Sequence, residues 1–92
     1  MSTKVKSRLV VLEVVGEVLF LGRRLPVGRY VGREQQFGVP TMDGQIDWAA
    51  PEYVLELTVE QMRTANMPVA KNQMSIEEDL TPYVASGTIK VR

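Results

Sequence analysis

Residues 8–15 (RLVVLEVV) carry apolar side chains at both alternating phases. That pattern belongs to a strand covered on both faces. Gly16-Glu17 lies between Val15 and Val18, and a glycine at the first loop position suits a type II′ hairpin turn. Residues 18–21 (VLFL) are then expected to be the returning strand. Leu25-Pro26-Val27-Gly28 has the proline and glycine positions of a type I turn. A third strand is expected over residues 29–34, where Gly32 marks either a bulge or a close backbone approach. Three short strands joined by tight turns make a meander, the usual start of a small barrel or curled sheet.

Periodicity fades over residues 35–51, which read as a long loop or a loose hairpin. Asp43-Gly44 is a good hairpin turn, and Ile46 and Trp48 would share one face beyond it. Pro40 and Pro51 keep the flanks out of central strand positions. Residues 52–57 (EYVLEL) alternate, with Tyr53, Leu55 and Leu57 on one side and Glu52, Val54 and Glu56 on the wet side. Thr58 and Gln61 have capping-box spacing, so a short helix should follow with Val59 and Met62 inward and a stop at Met67-Pro68. Ser75 and Glu78 repeat that spacing. They predict a second helix that either ends near Leu80 or restarts with Thr81 as cap and Pro82 at its first position. A turn at Gly87 leads into a last strand, Thr88 to Val91.

These elements define an α+β, mainly β fold. The expected architecture is a small partly open (SH3-like) barrel, or else a curled antiparallel sheet with two short helices. The 92 residues suffice for one domain spanning 1–92, with residues 1–7 expected to fray.

Composition narrows the chemistry. The chain has no cysteine and no histidine, which removes thiolate chemistry, the commonest general base and the commonest metal ligand. No cofactor and no metal are expected. Lys4, Lys6 and Arg8 before an apolar run resemble the start of a signal peptide, but Glu13 and Glu17 interrupt that run. Nothing approaches a membrane span, and a cytoplasmic location is expected. Net charge is zero, yet residues 1–33 hold seven basic against two acidic residues while residues 34–92 hold four basic against nine acidic. A basic first third and an acidic remainder can pair head-to-tail, across a dimer, or within one molecule.

Three groups of residues are candidates for a role. Arg23, Arg24, Arg29 and Arg33 around Tyr30 could contact phosphates and stack a base; the simpler reading is a solvated edge strand. Asp43, Asp47 and Glu52 could hold a hard cation or do acid–base work, but their spacing is not that of a calcium loop. Asp43 is also explained as a turn residue and Glu52 as the wet face of a strand. Phe37, Met42, Ile46, Trp48 and Tyr53 are of the types found at the centres of protein interfaces, although Trp48 could equally plug the end of a barrel. The expected function is a non-enzymatic interaction module contacting a protein partner or a second copy of itself. The alternatives are a small nucleic-acid-binding barrel using the Arg23–Arg33 stretch and, less favoured, a carboxylate-dependent enzyme or metal-binding protein.

Overall fold

The computed structural model describes residues 3–92. Its backbone is one long antiparallel hairpin, β1 (Lys4–Val14) against β4 (Gly28–Pro40). The register runs unbroken from Lys4↔Gly38 to Val14↔Gly28. Gly32 therefore marks no bulge. It marks a close approach: a Cβ there would lie 2.4 Å from Leu12 Cδ1 and 2.9 Å from the Val54 carbonyl oxygen. Residues 4–7, expected to fray, are strand because each has a partner in β4.

The expected turn at Gly16-Glu17 does not return the chain onto β1. Val15 donates its N–H to the Thr88 carbonyl at 3.0 Å, so the chain leaves β1 alongside the C-terminal segment. The hairpin forms later, between β2 (Leu19–Phe20) and β3 (Arg23–Arg24). Leu21 and Gly22 form its turn, with φ of 54° and 73°. Two consecutive positive φ values belong to a type I′ turn, whose twist matches the flanking strands. This small hairpin carries the fully buried Val18, Phe20 and Leu25 onto the main sheet.

The stretch 35–51 is a hairpin rather than a long loop. β4 continues to Pro40, turns through Asp43-Gly44 and pairs with β5 (Ile46–Trp48). β6 (Glu52–Thr58) lies on the other side of the central part of β4. The Thr58 capping box forms as read: Thr58 Oγ1 accepts from Gln61 N–H, and Gln61 Oε1 accepts from Thr58 N–H. The helix it starts, α1 (Val59–Thr64), buries Met62 and ends before Met67-Pro68. Asn66 takes the left-handed conformation at φ 57°, which closes the helix early.

The second expected capping box is not one. Ser75–Asp79 is a strand, β7, paired with β6. Alternation places Ile76 opposite Leu57 in the ladder, and that pairing overrides the local helix signal. The helix restarts as α2 (Thr81–Ala85) with Pro82 in its first turn, and the Asp79 carboxylate accepts from Thr81 N–H at 2.8 Å. β8 (Ile89–Val91) then pairs with the end of β1.

The sheet order is β7-β6-β4-β1-β8, with β5 beside the far end of β4. The sheet does not close into a barrel, so the curled antiparallel sheet describes the fold. One face carries Leu12, Val14, Leu55, Leu57 and Ile89, buried beneath α1, α2 and the β2–β3 hairpin. Beyond this core the β1–β4 ladder runs on as an arm. The radius of gyration is 15.5 Å and the extents 51 × 32 × 19 Å, against roughly 12 Å for a compact domain of this length.

Candidate interaction surface

Strand alternation sorts the sheet into two unlike faces. The even-numbered residues of β1 share the helix-covered side, where Val10, Leu12 and Val14 enter the core. The odd-numbered ones point to the side that α1 and α2 do not cover. There Leu9 is 76% exposed, Val31 66%, Val5 57%, Val39 57% and Phe37 38%. Val5 and Phe37 are direct cross-strand partners, as are Val11 and Val31. Leu9, Val31, Arg33, Val54 and Glu56 line a shallow trough of about 210 Å³ on this face. Ion pairs border it: Glu13 holds Arg29 at 3.1 Å and Arg92 at 2.7 Å, and Arg33 meets Glu77 at 3.2 Å. Hydrogen bonds from Arg92 and then Arg29 hold the Glu13 carboxyl below its ordinary range.

The arm's other face is polar and aromatic. Trp48 sits opposite Gly38, and a Cβ on Gly38 would come within 2.7 Å of the indole. Lys6 Nζ lies 4.2 Å from the indole centroid, a cation–π contact. Nearer the core, Glu34 accepts from Arg8 Nε at 2.9 Å and from the Tyr53 hydroxyl at 2.8 Å. These two donors, Arg8 first, lower the Glu34 pKa, and the same carboxylate raises that of Tyr53.

Of the five apolar candidates, Ile46 and Trp48 share the Gly38 side of the arm, as expected. Phe37 lies on the opposite face, Met42 is fully exposed at the turn, and Tyr53 is half-buried beside the core. Trp48 is half-buried against the arm and plugs no barrel.

The basic candidates divide. Arg29 and Arg33 lie on the uncovered face with Val31 between them, each paired with a carboxylate. Tyr30 points to the other face, where its hydroxyl donates to the Pro26 carbonyl at 2.6 Å. Arg23 and Arg24 stand exposed on the separate β2–β3 hairpin. The carboxylates also divide: Asp43 serves the turn, accepting from Thr41 Oγ1 and Gln45 N–H, Asp47 faces Val39, and Glu52 accepts from Gln35. Among the described residues no three acidic side chains converge on a point that could hold a cation.

An open groove of about 400 Å³ runs between α1 and the Leu25-Pro26 turn, lined by Tyr30, Leu57, Glu60 and Thr64 among others. Its lining holds one carboxylate, Glu60, and a phenol, Tyr30, already committed to Pro26. No helix among the described residues is long and apolar enough to cross a membrane. Comparison with known proteins finds no matching family model, no matching curated protein and no matching solved structure.

Val5, Leu9, Val31 and Val39 escaped the sequence reading as surface residues. The signal was present in residues 8–15, where both phases are apolar. Only one phase is covered.

Proposed function

We propose that this chain is a non-enzymatic interaction module that works through protein–protein contacts. One observation carries the reading: the uncovered face of an otherwise well-packed sheet bears two exposed apolar clusters, Leu9 with Val31 and Val5 with Phe37 and Val39, separated by the Ser7–Gln35 pair. Exposed apolar patches rimmed by polar residues are a mark of protein interaction sites. At the Leu9 and Val31 end, ion pairs border the apolar side chains, as polar groups border the apolar centre of an interface. The lack of histidine and cysteine favours binding over catalysis.

Photo-crosslinking tests the reading in the cell that makes the protein. A benzophenone amino acid replaces Val31 or Phe37. A discrete protein adduct from either position is expected, and its absence from both overturns the reading. The competing nucleic-acid reading relies on Arg23 and Arg24, which have no carboxylate partner within ion-pair distance among the described residues. It predicts a salt-sensitive mobility shift with short oligonucleotides that Arg23→Ala/Arg24→Ala abolishes.

A further inference from the structure

The main sheet ends in two edges of opposite charge. Along β1, Val15 N–H bonds to Thr88 and the Val11 carbonyl accepts from Arg92 N–H, so odd-numbered residues turn their backbone groups away from β4. Among the described residues no strand takes up those groups at Val5, Ser7 and Leu9. Along β7, Val59 N–H bonds to Met74 and Leu80 N–H to Tyr53, so even-numbered residues face β6 and the outer groups belong to Ser75, Glu77 and Asp79. The side chains beside the first edge are Lys4, Lys6 and Arg8, and those beside the second are Glu77, Glu78 and Asp79.

We infer that the free edge of β1 takes the β7 edge of a second copy, joining molecules head-to-tail into one continuous antiparallel sheet. This rests on the interaction-module reading and names its partner. Register follows from parity. Outward groups must meet outward groups, so Ser7 pairs with Glu77, Val5 with Asp79 and Leu9 with Ser75. The five residues of β7 then span Val5 to Leu9. The same register sets Lys6 opposite Glu78 and keeps the helix-covered face of both copies on one side. Lys4, Lys6, Glu78 and Asp79 have no ion-pair partner within one molecule among the described residues. Arg8 and Glu77 already have theirs in Glu34 and Arg33. Pairing like edges works against charge. Two β1 edges centred on Ser7 set Lys6 against Arg8, and two β7 edges centred on Glu77 set Glu77 against Glu77. The contact is heterologous and does not close, so it builds a chain of copies.

Proline at an outward-facing edge position removes the N–H that the neighbour needs and leaves the internal ladder bonded. Ser7→Pro blocks one edge and Glu77→Pro the other. In sedimentation velocity, the wild type is expected to grow in mass with concentration at low salt. Each variant alone should stay at monomer mass, and an equimolar mixture should reach dimer mass and go no further. Circular dichroism checks each fold. If a proline variant does not fold, Lys6→Glu and Glu78→Lys replace the pair: each should weaken assembly, and the double variant should restore it. Three results overturn the inference: a wild type monomeric at every concentration, a Glu77→Pro variant that still assembles, or a mixture with no dimer. A protein adduct from Val31 with a monomeric wild type would sink the edge pairing and leave the interaction reading standing.

Discussion

Gly38 and Trp48 face each other across β4 and β5, and the indole fills the space that a side chain at Gly38 would need. Replacing Gly38 by alanine must push the ring outward and away from Lys6. Because Trp48 is the only tryptophan, its fluorescence reports this directly. Gly38→Ala should shift the emission maximum to the red while far-UV circular dichroism stays constant. An unshifted maximum would mean that the ring packs elsewhere.

Gly32 is under tighter constraint, because one of the atoms a Cβ would meet is backbone, the Val54 carbonyl oxygen. Overpacking of this kind costs about 1–3 kcal/mol. Gly44→Ala is the comparison. That turn has nothing within 4 Å and only its φ of 84° to object, a left-handed conformation that costs an L side chain about 1–2 kcal/mol. Urea midpoints should therefore fall further for Gly32→Ala than for Gly44→Ala.

Phe20 is the largest fully buried side chain, and the two-residue strand β2 delivers it. Truncation to alanine should cost about 3–5 kcal/mol, a large part of the roughly 5–15 kcal/mol that holds such a domain together. Loss of the cooperative thermal transition at moderate temperature is the expected readout. A transition within a few degrees of wild type would mean that the β2–β3 hairpin is not part of the folding unit.

Glu34 makes stability depend on acid. Its pKa is lower in the folded chain than the ordinary 4.5, because Arg8 and Tyr53 donate to the charged form. A group so shifted stabilises fully above its unfolded value, and the stabilisation is lost as pH falls through the folded one. Glu13 acts in the same direction. Thermal midpoints of wild type and Glu34→Gln should differ at neutral pH and converge as pH falls through the lowered Glu34 pKa, where the folded carboxylate protonates. Tyr53→Phe removes one of the donors and should cost about 1 kcal/mol at neutral pH.

Much of the fold is legible in local chemistry. The Thr58 box, the Asp43-Gly44 turn, strand β6 and the final strand all follow from neighbours a few residues apart, although Val54, expected on the wet side of β6, is buried. The misreadings share one cause. Gly16-Glu17 resembles a hairpin turn and Ser75 resembles a helix cap, but Thr88 captures Val15 and Leu57 captures Ile76 across long stretches of chain. Leu21-Gly22 went unseen because leucine rarely accepts positive φ, and here the burial of Phe20 beside it holds the turn. The candidate surface was half legible. Residue types at Phe37 and Trp48 flagged the arm, but composition cannot say which phase of an apolar strand stays bare.

The arm is also a mechanical part. Its ladder from Lys4 to Arg8 carries no fully buried side chain, whereas Leu12 and Val14 in the same strand are sealed in the core. One continuous strand thus crosses from a region held by packing to a region held by backbone bonds and surface pairs. Amide hydrogen exchange along β1 should fall into two tiers, with the outer ladder opening many times while the core stays shut. The boundary between the two tiers is expected near Val10, where burial begins, so that the outer ladder works as a clasp on a fixed core.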